Sequence, residues 1–158
     1  MRRKDRQITD LEAIRAILDK AKVLHLAMID GDRPYVVPLN YGYTLADGRL
    51  TLYLHSAREG RKLDVLRQND RVAFVLETNV SQVSGGDIPC KYGEAYASVM
   101  GEGRAVLLTD SAEKMAALSI LMKTQTGREF AFTPAMAESV AVLRVNVDSF
   151  SAKARPMA

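Results

Sequence analysis

The richest chemistry in this chain lies in Tyr53-Leu54-His55-Ser56-Ala57-Arg58-Glu59-Gly60-Arg61-Lys62-Leu63. An alternating apolar run ends in a histidine, a serine follows, and a glycine and two cations come within the next turns. Cations at the start of a helix oppose its dipole and are poorly placed for stability. They are well placed to help the unpaired helix amides and the Ser56 hydroxyl hold an anion. Gly60 carries no side chain to keep a ligand off the backbone. The plainer alternative is a solvated basic helix face. No Walker-type or GxGxxG pattern is present, which disfavours nucleoside triphosphates and dinucleotide-fold cofactors.

Other residues are candidates by type. Pro38 lies inside VVPLNYGY; a proline cannot donate to a sheet ladder, so it belongs on an edge or beside a non-protein group. Tyr41, Tyr43 and Tyr53 could wall an aromatic ligand or serve the core and the rim of the fold. His25, in an apolar strand, reads as a satisfied structural histidine, whereas His55 ends its strand beside the anion site and is the candidate for chemistry. No Ser/His/Asp order or carboxylate pair supports hydrolysis. Cys90 is the one cysteine, so no internal disulfide forms, and no Cys/His cluster has metal-ligand spacing.

Three helices are expected to position these residues, each opened by a capping box that satisfies orphan amides. Thr9 with Glu12 opens the first, Ser56 with Glu59 the second and Asp110 with Glu113 the third. Leu11, Ile14, Ile17 and Leu18 form the inner face of the first, and Leu63 and Leu66 that of the second. Met115, Leu118, Leu121 and Met122 repeat at the helical period in the third, and Gly127 stops it. A short turn follows Pro134.

Residues 23–29, 34–40, 49–55, 71–78, 95–109 and 140–147 read as strands, with turns at Asp30-Gly31-Asp32 and Asp47-Gly48. Leu50, Leu52 and Leu54 point one way; Thr51, Tyr53 and His55 point the other. Hairpin-linked strands with few helices give an α+β fold, an antiparallel six-stranded β-barrel with flanking helices. A basic leader at 1–8, one domain at 9–152 and a tail at 153–158 complete the division.

The 158 residues carry 22 Lys and Arg against 19 Asp and Glu, a net charge of +3. Arg2, Arg3, Lys4 and Arg6, less Asp5, account for all of it, so the remainder is formally neutral. A nucleic-acid footprint would spread over one face of the fold, so no nucleic-acid partner is expected. No apolar run approaches the roughly 20 residues of a membrane span, and MRRKDRQITD is not built as a signal peptide. No membrane association and a cytoplasmic location are the expectation.

RRKDRQITD, RPYVVPLNYGY, LYLHSAREGRKLDVLRQNDRV and the stretch from Cys90 through YASVMGEGRA together resemble the nitroimidazole-resistance branch of the pyridoxamine 5′-phosphate oxidase-like flavoproteins. The resemblance runs over nearly the whole chain. It implies a split β-barrel that forms a homodimer with two FMN sites at its interface. Matched to the family pattern, the backbone of Val37, Pro38, Leu39 and Asn40 runs along the isoalloxazine edge. Ser56, Arg61 and Lys62 hold the phosphate, and His55 sits near flavin and substrate as the catalytic candidate. Tyr96 and Ser98 approach the ring from the partner subunit. Ala97 stands where the family often has arginine, which implies one cation fewer near the interface.

The implied activity is FMN-dependent oxidoreduction, with NAD(P)H or another donor and a small aromatic or nitro substrate. The alternative is a flavin- or haem-binding module without turnover, with His55 or His25 as axial ligand. Pyridoxamine-phosphate oxidase activity is disfavoured, because no second phosphate-binding cluster is evident.

Overall fold

The computed structural model describes residues 3–155. Arg2 of the leader and residues 156–158 of the tail lie outside the described residues. Seven strands and four helices follow in the order β1 (Gln7–Ile8), α1 (Leu11–Lys20), β2 (Val23–Asp30), β3 (Arg33–Ala46), β4 (Arg49–Ser56), α2 (Arg61–Gln68), β5 (Arg71–Val83), β6 (Gly93–Leu107), α3 (Ser111–Thr126), α4 (Pro134–Glu138) and β7 (Ala141–Arg155).

All pairings are antiparallel, and the strands lie in the order β1-β7-β4-β3-β2-β5-β6. β6 also pairs with β7, which closes six strands into a ring. Closure leaves fewer open edges than a flat sheet would. β1 is an extra short strand beside β7, with Gln7 opposite Lys153 and Ile8 opposite Ala152. The leader boundary drawn at residue 8 and the tail boundary at 153 therefore cut through one strand pair.

The barrel interior is built by alternation. Leu24, Leu26, Leu50, Leu52, Leu54, Leu76, Val99 and Leu143 are buried in one cluster, to which α1 adds Ile14, Ile17 and Leu18 and α2 adds Leu63, Val65 and Leu66. Tyr41 belongs to this core: it is fully buried, and its hydroxyl donates to the Leu18 carbonyl at 2.7 Å and the Ala21 carbonyl at 3.1 Å. Tyr43 bonds to Asp19 Oδ1 at 2.7 Å on the rim. Of the two roles open to these tyrosines, they take the structural one. A second cluster, around Leu108, Ala117, Leu118, Ala137 and Val142, fastens α3 and α4 to the outside of β4 and β7, and Tyr53 packs against it.

The helix starts correct two expectations. Asp10, not Thr9, caps α1, accepting from the amides of Glu12 and Ala13. Leu11, expected on the inner face, is exposed. Ser56 does not open α2; it ends β4, and the helix begins after Gly60, at φ 131, with no side-chain cap. Asp110 caps α3 through the Glu113 amide and Gly127 closes it in the left-handed conformation, as expected.

Gly42 fixes how closely α3 lies on β3, because a Cβ there would fall into the Leu121 backbone. Backbone cannot swing aside as a side chain does. Gly42→Ala is expected to destabilise the fold by roughly 1–3 kcal/mol, read as a lower urea midpoint at unchanged slope.

Candidate functional site

The site grows from a mismatch between neighbouring strands. Residues 33–40 of β3 pair with β2, from Arg33 opposite Asp30 to Asn40 opposite Val23. Pairing of β3 with β4 begins only at Tyr41, opposite Leu54. Among the described residues, no strand covers the other edge of residues 33–40. Val37, Pro38, Leu39 and Asn40 lie on this open edge, where the missing amide of Pro38 costs no second ladder bond. Val37 and Leu39 turn partly into the core, whereas Pro38 and Asn40 are exposed.

Where the ladder stops, β4 delivers His55 and Ser56, and the chain turns through residues 57–60 into α2. The structure thus brings His55, Ser56, Gly60, Arg61 and Lys62 to one junction beside the open edge. The amides of Leu63 and Asp64 bond back to the Gly60 carbonyl at 2.9 and 3.3 Å, but no side chain caps the first turn. The Ser56 hydroxyl is committed locally, donating to the Ala57 carbonyl at 2.9 Å.

The two cations differ. Arg61 Nε and Nη2 donate to Asp30 Oδ2 at 2.8 and 2.7 Å, and the guanidinium lies 4.3 Å from the centre of the Tyr35 ring. Lys62 has no hydrogen-bond or ion-pair partner among the described residues, and partial burial pushes its pKa down. His55 is half-buried beside it. Burial first, and the Lys62 charge second, hold its pKa below the ordinary 6.5. Its Nδ1 is buried without a hydrogen-bond partner. Two half-buried bases side by side with no carboxylate form a place that an anion would stabilise.

Several elements hold this junction. Asn40 Nδ2 donates to the Lys22 carbonyl at 3.0 Å and to Gln125 Oε1 at 3.3 Å. Gln125 Nε2 donates to the Tyr41 carbonyl at 2.7 Å and to the Lys22 carbonyl at 3.1 Å, tying the end of α3 to β3. Asp30, Tyr35 and Gln125 were not singled out in the sequence. Asp30 reads there as a turn residue, and its contact with Arg61 spans 31 positions.

Three other candidates lie elsewhere. Tyr53 faces outward under α3 and α4. Tyr96 and Ser98 are on β6, separated from β3 by β2 and β5 within one chain. Ser98 is 6% exposed and its Oγ has no partner. Tyr96 has its phenol pKa lowered, by a hydrogen bond with Arg6 first and by the Lys153 charge as well. Ala97 between them is buried in the barrel core. It also borders a surface hollow with Tyr96 and Arg155. His25 also departs from expectation. It faces outward from β2, half-buried and without a hydrogen bond among the described residues. No group of three His, Cys, Asp or Glu among the described residues could hold a metal ion, and no helix is long and apolar enough to cross a membrane.

Residues 10–154 match the family model described as pyridoxamine 5′-phosphate oxidase. This chain belongs to that family. No curated protein matches it. Among solved structures, it is similar to a candidate 5-nitroimidazole antibiotic resistance protein from Bacteroides thetaiotaomicron, with 32% identity, coverage of 94% of this chain and 86% of that one, and a TM-score of 0.78. This match agrees with the branch indicated by the sequence. It is also similar to an FAD-binding protein from Mesorhizobium loti, with 26% identity, coverage of 95% and 97%, and a TM-score of 0.65. An FAD- and haem-binding protein from Mycobacterium smegmatis shares the fold at 19% identity, with coverage of 94% and 73% and a TM-score of 0.77. The family fold is the split barrel, and the ring of six strands with its open β3 edge conforms to it.

The depressed His55 pKa sets a pH dependence. In the unfolded chain the imidazole takes up a proton as pH falls through 6.5; in the folded protein it does so only lower. Stability therefore falls as pH drops below 6.5 and levels off once the folded group is protonated. An NMR titration should place the His55 midpoint below 6.5, and His55→Phe should flatten the stability slope in that window.

Proposed function

We propose that this protein is an FMN-dependent oxidoreductase acting as a homodimer. The observation that carries the reading is Lys62. It is a half-buried cation without a counter-charge, at an uncapped helix start, beside a strand edge free to meet a flat ring. Bound FMN supplies the electron or hydride transfer itself. The solved relatives described as a nitroimidazole-resistance protein and as an FAD-binding protein support a flavin and a small nitro or aromatic acceptor.

Each residue has a physical task. Lys62, Arg61, the Ser56 hydroxyl and the first amides of α2 bind the phosphate. Asp30 and Tyr35 hold the Arg61 side chain, so its rotamer freedom is already restricted before ligand arrives. The free edge offers the Pro38 carbonyl and the Asn40 backbone to the ring, with Val37 and Leu39 holding that edge to β2, and Gly60 admits the ligand close to the chain. His55 is neutral at pH 7 and holds or accepts a proton near the substrate. Tyr53 supports this region from beneath α3.

The second copy has a face to meet. Outward residues align across the strands, with Pro38 beside His25, His25 beside Val75 and Val75 beside Met100. Val36 and Ala27 continue the apolar row. Val36 is 52% exposed and Met100 43%, and no helix among the described residues covers them. Ser98 and Tyr96 border this face, where a partner's flavin would give the orphaned Ser98 hydroxyl an acceptor. Val36→Glu with Met100→Glu should turn a dimer into a monomer in size-exclusion chromatography and weaken flavin binding with it.

The phosphate assignment is tested by comparing FMN with riboflavin, which lacks the phosphate. The purified protein should be yellow and bleach on reduction with NADH or NADPH. Arg61→Ala with Lys62→Ala should lower FMN affinity about 100-fold, from two charge-assisted bonds at roughly 1.5 kcal/mol each, and leave riboflavin affinity unchanged. Equal loss for both ligands would refute the assignment. A Soret band in place of flavin absorption would shift the reading to the haem-binding module.

A further inference from the structure

A cavity of about 250 Å³ lies between the outer face of β4 and the helices α3 and α4. We propose that it is a binding site for an uncharged single-ring aromatic molecule carrying one hydroxyl or N–H group. It adjoins the phosphate junction through His55, which both share, and the inference does not depend on the flavin reading.

The walls decide the class of ligand. Leu118, Leu121 and Met122 come from α3, Phe132 from the loop before α4, and Met136 from α4. Thioethers and a phenyl ring favour an aromatic guest, through sulfur–ring and ring–ring contacts. A dry apolar cavity of about 150 Å³ is enough for benzene, so the space takes one ring with a substituent. A flavin with its ribityl phosphate does not fit. Apolar walls also disfavour a charged guest.

The polar end is His55. Its Nδ1 is buried with no partner, and a buried polar atom left unsatisfied costs free energy that a ligand's hydrogen bond restores. The other polar side chain of the lining is already committed: Ser139 Oγ donates to the Met136 carbonyl at 2.7 Å. Lys62 and burial keep His55 neutral at pH 7, so the ring can donate at one nitrogen and accept at the other. The lining thus has one uncommitted side-chain hydrogen-bonding group, His55, among apolar walls. Met136, 54% exposed, is its most exposed large apolar residue.

Phenol and toluene are the matched probes, titrated by calorimetry into the protein as purified. Phenol should bind saturably at one site per chain and about fivefold more tightly than toluene. His55→Phe should abolish that preference while leaving toluene bound. Met136→Trp, a change at an exposed position, should block both probes. No saturable binding of phenol would overturn the proposal. So would a phenol preference that survives His55→Phe, binding unaffected by Met136→Trp, or tighter binding of benzoate than of phenol.

Discussion

β3 is fourteen residues long and β4 only eight, and that disparity organises the molecule. The hydrogen bonds of residues 41–46 hold β3 in the ring, while those of 33–40 serve β2 alone. An unpaired edge invites other strands. Pro34 and Pro38 blunt this one, since neither can donate to an intruding chain. The same opening places the end of β4, the turn at Gly60 and the start of α2 within reach of an extended backbone. Asn40 and Gln125 brace it where the pairing changes hands.

Net charge conceals the arrangement of cations. The excess sits in the leader, where Arg3 is bound to Asp5 at 2.6 Å and Arg6 contacts Tyr96. At the junction, Arg61 is neutralised by Asp30 while Lys62 is not neutralised at all. Two adjacent residues in one helical turn thus have opposite electrostatic circumstances. The exposed Arg61–Asp30 pair contributes little to stability, because solvent screens it. Its consequence is geometric. Lys62 is free because no acid lies opposite it.

Local features of this fold were legible in the sequence and long-range ones were not. Alternation through Leu50, Leu52 and Leu54 gave the inner face of β4, and the Asp110 cap and Gly127 stop bounded α3, because each signal lies within a few residues of its effect. The Thr9 and Ser56 caps failed because a hydroxyl three residues before an acid also occurs where the chain is still extended. The second half of β3 and the end of β7 were missed because their pairing partners, not their own pattern, keep them extended. Of the site, the segment from His55 to Lys62 was visible as a motif. Asp30 and Tyr35 were not, since only the folded hairpin brings them to Arg61. Ala97 was legible by identity as one cation fewer, but a single position does not reveal which face of its strand it occupies.

β7 gives the chain a particular order of assembly. One of its edges receives β4 and then β1, and the other receives β6. Ser56 meets Ala141 and His55 meets Val142, so the strand that delivers the junction is fastened by residues made some eighty-five positions later. Contacts of such sequence separation are slow to form. During synthesis the β2–β3–β4 meander can pair early, yet it stays an open sheet until the last strand leaves the ribosome. The junction is thus among the last parts of the molecule to become rigid, and a chain stopped before residue 141 would leave the second edge of β4 unpaired from Thr51 to Ser56.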